Sequence, residues 1–301
     1  MKSNDFRVSI IITSYNLKHY LIEAIESVIH QTVRPHEIII ADDHSTDGSV
    51  ELIRDYIARY PGWIKGVFQK ENVGISKNRN AALRQATGNY VAILDGDDRF
   101  LSHNVELQLT ALAEQPEAGC VYSNLYYINA QGIRTQIRDK ALRPSGDIFA
   151  YIAVGKVGLL RSMLIRYDLM QRAGFLDERF PKHDGFILTL RLAKYSKFTY
   201  VLEPLAEYRV HEKGDSKSLS TRERLHYLED VFLEVLKLAE DLPPQEIQWI
   251  KTVWFWKLLR WRVLADVEQG KRMKALSHIA RGFIRNPGRV RNAWDLVRQV
   301  F

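Results

Sequence analysis

Cysteine is almost absent from this chain: 301 residues contain only Cys120. An intramolecular disulfide is impossible, and neighbours such as Ala118 and Val121 mark Cys120 as a buried strand residue rather than a nucleophile. Long apolar runs are missing too. A helix needs roughly 20 apolar residues to cross a bilayer, and the best stretch, Ile148 to Ile165, is interrupted by Lys156 and Arg161. The N-terminus carries Lys2, Asp5 and Arg7 ahead of a short β-type run. It lacks the apolar core of a secretory signal, which predicts a cytoplasmic chain. There is no G-x-G-x-x-G turn, which disfavours a nicotinamide dehydrogenase. Nor does a glycine-rich, basic phosphate loop follow the first apolar run, because Thr13-Ser14-Tyr15-Asn16 stands there; that disfavours a nucleotidyltransferase, the rival enzyme class. Repeats and low-complexity tracts are not seen.

Net positive charge is lacking outside one region. The formal charge is +7, and residues 271–301 hold eight Lys or Arg against the single acid Asp295, so this tail carries the whole excess. A globally basic, nucleic-acid-coating surface is disfavoured, and a local anionic partner for the C-terminus is expected. What the chain has in plenty is apolar residues, at 46%, enough to bury a substantial core.

The first hundred residues alternate short β-branched runs with longer helical patterns, which predicts an α/β fold built on a parallel sheet with crossover helices. Val8 to Thr13, Glu37 to Ala41, Ile64 to Gln69 and Tyr90 to Leu94 read as strands. Leu21, Ala24, Ile25, Val28 and Ile29 form a helical stripe between the first two; Val50 to Ile57 and Ser76 to Ala86 are further helices. From Asn104 to Lys217 the pattern is mixed, with a helix through Leu112, strands at Ala118 to Ile128 and Phe198 to Leu202, and a helix at Asp184 to Lys194. Beyond Ser220 it is helical, broken at Leu242-Pro243-Pro244 and Asn286-Pro287-Gly288. These patterns predict one domain over 1–219, with a nucleotide-binding half (1–100) and an acceptor half (101–219). A basic amphipathic helical region follows over 220–301.

Ligands of such sheets sit beyond the carboxyl ends of the strands, and small polar or acidic residues follow all four runs. Asp95-Gly96-Asp97-Asp98 places three carboxylates in four positions. That crowding is costly unless a cation or a set of donors offsets it, and hard oxygen ligands suit Mn²⁺ or Mg²⁺. In Asp42-Asp43-His44-Ser45-Thr46-Asp47, Thr46 or Asp47 can cap the next helix. Asp43 is left over, and its carboxylate can accept a uracil imide N–H. Gly74 permits a tight turn, and Lys77 and Arg79 bring cationic donors to the predicted cleft or, in the plainer reading, decorate an exposed helix face.

In these motifs the chain resembles the family 2 glycosyltransferases across about Val8 to Ser218, which implies the GT-A fold, a Rossmann-like mixed sheet flanked by helices. The resemblance implies a metal-dependent, inverting transfer of a sugar from a nucleotide-sugar, most simply a UDP-sugar. Thr13, Ser14 and Tyr15 would lie against base and ribose, Asp43 would bind uracil, Asp95 and Asp97 would lie near ribose and diphosphate, and Asp98 would bind the metal. Gly174-Phe175-Leu176-Asp177-Glu178-Arg179-Phe180 resembles the segment before the family's catalytic acidic pair. His183-Asp184 stands at that pair where Glu-Asp is common, which makes Asp184 the general base. Tyr208-Arg209-Val210-His211, with Gly214, Ser216 and Ser218, resembles the closing motif, whose histidine can ligate the metal or contact the diphosphate. The departure at His183 keeps open a catalytically degenerate, membrane-bound scaffold.

The C-terminal helices set Lys274, His278, Arg281 and Arg285 on one side and Leu276, Ile279, Ala280 and Phe283 on another; Val290, Trp294, Val297 and Phe301 form a second apolar stripe. A basic amphipathic helix suits an anionic membrane surface and would bring the enzyme to a glycan or lipid-linked acceptor at the inner face of the cytoplasmic membrane. Packing on the catalytic domain, or on another subunit of an oligomer, is the competing use of these stripes.

Overall fold

Runs of isoleucine start the sheet. β-branched side chains are already restricted at χ1 and pack well on a pleated surface, and Ile10–Ile12 and Ile38–Ile40 are fully buried. Each contributes about 1.5–3 kcal/mol by leaving water. The computed structural model describes residues 6–157, 162–211, 220–285, 295–298 and 300. The chain divides into two compact units, Met1–Lys213 and Gly214–Phe301.

In the first unit, β1 (Val8–Ser14), β2 (Glu37–Asp42), β3 (Ile64–Phe68) and β4 (Tyr90–Asp95) pair in parallel in the order β3-β2-β1-β4. Helices α1 (Lys18–Ile29), α2 (Ser49–Arg59) and α3 (Ile75–Leu83) make the connections. Buried Leu21, Ala24, Ile25 and Val28 of α1 join the core beneath the sheet. The order turns back between β1 and β4, and such a switch point opens a crevice at the strands' carboxyl ends.

The sheet continues from β4 as a mixed one. β8 (Met163–Arg166) pairs antiparallel with both β4 and β6 (Ala118–Ile128), and β9 (Lys197–Arg209) runs parallel to β6. Short β5 (Arg99–Phe100) pairs with β9, and β7 (Arg134–Ile137) with β6. Helices α4 (Asn104–Glu114), α5 (Phe149–Ala153), α6 (Tyr167–Ala173) and α7 (Asp184–Ala193) complete the unit. This is the expected mixed sheet flanked by helices. Two details differ from the sequence reading. The apolar stretch from Ile148 splits into α5 and the start of β8, with 158–161 outside the described residues. The last strand is longer than its apolar run because polar Glu203, Glu207 and Arg209 continue it.

The second unit contains α8 (Thr221–Leu238), α9 (Pro244–Glu268) and α10 (Arg272–Arg285). Ser220 and Glu223 form a reciprocal capping box at the start of α8, and Pro244 occupies the first turn of α9, where its missing N–H costs nothing. Among the described residues, no helix is long and apolar enough to cross a membrane. Of the expected C-terminal stripe, Val290, Trp294 and Phe301 lie outside the described residues, as do Gly214, Ser216 and Ser218.

Candidate active site

The acidic turn at the switch point exists because a glycine lets it form. Gly96 N–H donates to the Thr13 carbonyl at 2.8 Å, and a Cβ at this position would stand 2.5 Å from the same oxygen. Only glycine lets the chain pass so close to β1. Register pairs Thr13 with Asp95, and Thr13 Oγ1 donates to Asp95 Oδ1 at 3.3 Å. Ligand oxygens of Asp95, Asp97 and Asp98 come within 4.8 Å of one another. Burial, and then the charge of Asp95, pushes the Asp97 carboxyl up, against the pull of His211.

Two helices bring Arg79 and Asp184 to this turn. Arg79 lies on α3 and is buried; its Nη2 donates to Asp95 Oδ1 and its Nη1 to Asp184 Oδ2 at 3.1 Å. Burial opposes the guanidinium's charge, but Asp95 and Asp184 more than offset it and push the group upward. Asp184 opens α7, and its carboxylate also accepts from Ser76 Oγ at 2.9 Å and from Gly185 N at 2.6 Å. Arg79 Nη1 also lies 3.4 Å from Asp184 Oδ1, so each carboxylate oxygen accepts two hydrogen bonds. Asn80, next to Arg79, accepts from Leu176 N and donates to Glu178 Oε1, both at 3.0 Å, fixing the segment that leads to α7. Asp177 in that segment is held down at about 2 by Arg179, with Arg191 adding to it.

The end of β9 closes the site from the other side. Arg209 is fully buried: its N–H donates to Asp98 Oδ1 at 2.8 Å, Nε to the Asp97 carbonyl at 2.7 Å and Nη2 to Glu23 Oε2 at 2.7 Å. Two residues on, His211 Nε2 lies 2.9 Å from Asp97 Oδ2, and the ring packs on Tyr20. Strand alternation points 209 and 211 the same way, which leaves Val210 between them 55% exposed.

At the β2 end, buried Asp43 accepts from Val73 N at 2.8 Å and Gly74 N at 2.9 Å. Gly74 has φ +89°, a left-handed value that only glycine takes at little cost. The cap residue of α2 is Gly48, and Asp47 before it accepts from Ser49 N and Oγ. Ser14 Oγ is buried with no hydrogen-bond partner among the described residues, whereas Tyr15 is 48% exposed. Asn16 and His44, just past β1 and β2, adopt positive φ without being glycine.

Thr13, Asp95, Arg79 and Asp184 thus form one bonded chain, Asp97 pairs with His211, and Asp98 and Asp43 stand at the same sheet edge. Lys77 is exposed and joins none of them. Sequence reading missed Ser76, Glu23 and the stitching role of Arg209. The signal for Ser76 was available: α3 reads Ile-Ser-Lys-Asn-Arg-Asn-Ala-Ala-Leu, polar where an inward face should be apolar. The loop after β7 is anchored at buried Asp139 by Arg138, Arg143 and Tyr200; Arg161 falls outside the described residues.

The switch point of this mixed sheet thus gathers carboxylates, a buried arginine and a Ser14 hydroxyl that is unpartnered among the described residues. The sequence profile described as Glycosyl transferase family 2 matches residues 9–172, and the chain belongs to that family. It is 31% identical over 214 residues to the cholesterol galactosyltransferase of Borreliella burgdorferi, covering 65% of this chain and 58% of that one. It is 34% identical over 125 residues to the chondroitin synthase of Escherichia coli, covering 42% of this chain and 18% of that one. The matched part is thus less than two thirds of each of these relatives. The fold matches S. aureus TarS residues 1–349, solved in complex with UDP-GlcNAc, with a TM-score of 0.65 at 16% identity, covering 98% of this chain and 90% of that one.

Proposed function

We propose that this glycosyltransferase moves a sugar from a UDP-sugar to a cell-surface polysaccharide or lipid-linked oligosaccharide acceptor, with inversion at the anomeric carbon. The observation that carries the reading is the Arg79 bridge, which ties the acidic turn after β4 to the carboxylate opening α7. Asp184 Oδ takes the acceptor hydroxyl proton as the new C–O bond forms and the bond to the departing diphosphate breaks. Arg79 stabilises that carboxylate and brings positive charge to the diphosphate side. Asp43, Thr13, Ser14 and Tyr15 hold the nucleoside; the orphaned Ser14 hydroxyl supports this, since an unsatisfied buried group costs roughly 1–3 kcal/mol until a partner arrives.

The residues fit Mn²⁺ or Mg²⁺. Three carboxylates converge within 4.8 Å, and the Asp97 carboxyl is pushed up by burial and then by the charge of Asp95, a cost that a cation would offset. Asp98 and His211 would hold the ion, which when bound offsets charge on the leaving diphosphate. The name of the Bacillus subtilis minor teichoic acid biosynthesis protein GgaB, 28% identical over 229 residues covering 71% of this chain and 24% of that one, supports a cell-surface polysaccharide acceptor. The basic α10 supports work at the inner face of the cytoplasmic membrane.

Purified protein is assayed with a panel of nucleotide-sugars, with and without Mn²⁺. Asp184→Asn should lower transfer by about 10²-fold or more while donor binding persists. Asp98→Ala should abolish the metal dependence of donor binding. Near-normal transfer by Asp184→Asn overturns the base, and absence of donor hydrolysis or transfer in any condition favours the scaffold. Arg272→Gln, Lys274→Gln and Arg281→Gln together should weaken sedimentation with anionic vesicles; unchanged sedimentation removes α10 from the membrane reading.

A further inference from the structure

The helical unit carries an apolar groove that catalysis does not use. On α9, Phe255, Leu258 and Leu259 recur at helical spacing between Lys251 and Arg262, and with Phe232 and Leu236 of α8 they line an open cavity of about 370 Å³. That lies within the roughly 300–1,000 Å³ range of small-molecule sites. Gly282 lets α10 pack flush against it, since a Cβ there would stand 2.7 Å from Leu259 Cδ2. Among the described residues, the only polar ones in the lining are the two cations, eleven positions apart and so about 16 Å along the axis, one at each end. Arg262 gives Nη2 to Glu229 and remains 48% exposed, and among the described residues Lys251 has no ion-pair partner. Leu233 of α8 is 64% exposed, and Met273 and Ile284 of α10 are 79% and 77% exposed.

An apolar floor with a cation at either end is complementary to the boundary between lipid phosphates and acyl chains. We propose that this groove is a membrane-docking site that takes up an acyl chain of an anionic phospholipid, with Lys251 and Arg262 against phosphates at its two ends. It rests on the membrane association proposed above and adds a specific seat to the diffuse charge of α10. A second copy of this chain or a partner helix would need the same apolar floor but not anionic lipid.

The full chain is titrated with phosphatidylcholine vesicles, with and without phosphatidylglycerol, and its tryptophan fluorescence is read with acyl-brominated lipids. Trp254 stacks on groove-lining Phe232 with ring centroids 5.4 Å apart, so an inserted chain quenches it. Wild type should bind only the anionic vesicles and be quenched. Lys251→Gln with Arg262→Gln should lower partitioning by about 30-fold, from one unit of surface attraction per cation. Leu236→Phe with Leu258→Phe keeps every charge and fills the groove, and should remove the quenching. Circular dichroism and sugar transfer at wild-type levels show that both variants are folded. Quenching retained in the filled variant overturns the groove. So does wild-type binding by the Lys251/Arg262 variant, while the α10 neutralisation test leaves the broader membrane reading standing. A wild type indifferent to anionic vesicles ends both, and dimerisation lost on filling assigns the groove to a second copy.

Discussion

Replacing Arg79 by methionine removes the cation on which the site is assembled and leaves two carboxylates facing each other across its place. The guanidinium is 8% exposed, and its Nη1 is 3.1 Å from Asp184 Oδ2. At about 4 Å and an effective dielectric near 20, one such pair is worth roughly 4 kcal/mol gross. Two pairs double that, and much of the sum offsets taking three charges out of water. Deleting the cation alone leaves the cost without the offset, a loss of about 3–5 kcal/mol. In a unit of this size that lowers Tm by about 6–20 °C. Urea unfolding at pH 7 should show a lower midpoint with an unchanged slope. Arg79→Lys keeps the charge but cannot fork to both acids, so it should regain part of the stability and little of the transfer rate. In a double-mutant cycle, Arg79→Met and Asp184→Asn should couple by about 1–3 kcal/mol. An Arg79→Met protein within about 1 kcal/mol of wild type, with no coupling to Asp184, refutes the reasoning, because a buried bridge cannot be both present and idle.

Gly96→Ala should displace the acidic turn, since its Cβ would meet the Thr13 carbonyl at 2.5 Å; a loss of about 1–3 kcal/mol together with loss of donor binding is expected by calorimetry, and a neutral outcome means the turn has room. At the opposite end of β2, burial would raise the Glu37 carboxyl, but Lys65 and the donors of Ser9 and Thr87 hold it at about 2. Its folded pKa is depressed, so its contribution of about 2–3 kcal/mol is present above pH 4.5 and lost as pH falls towards 2. Glu37→Gln should flatten the fall in stability across that window and leave transfer at pH 7 unchanged; identical acid unfolding curves for the two proteins would sink the assignment.

The parallel half of the sheet was legible because its signals are local. A run such as Ile10-Ile11-Ile12 must extend and be buried, and the polar residue that ends it marks the strand's carboxyl end. Four such ends, read from spans of a few residues each, are enough to find the Asp95-Gly96-Asp97-Asp98 turn and Asp43. The antiparallel β8 was not legible, because four residues inside a longer apolar stretch carry no period, and their strand character comes from lying between β4 and β6. Arg209 was seen only as a neighbour of His211, because its partner Glu23 is 186 positions away.

Arg79 shows why such residues escape a reading by hydrophobic pattern. That pattern assigns the inward face of a helix by its apolar side chains, and on α3 it leaves Ser76, Asn78, Arg79 and Asn80 to solvent. All four are buried, because what α3 faces is a carbonyl, two carboxylates and a turn rather than a hydrocarbon core. The same inversion occurs at the end of β9, where Glu207 and Arg209 are buried. Both places border the acidic turn. A helix or strand whose polar residues are interior must be satisfying charge already gathered there, and a fold bears that cost where chemistry needs a charged interior. The failure of the local rule at α3 and β9 therefore points, independently of any motif, to the same few ångströms of the molecule as the carboxylates do.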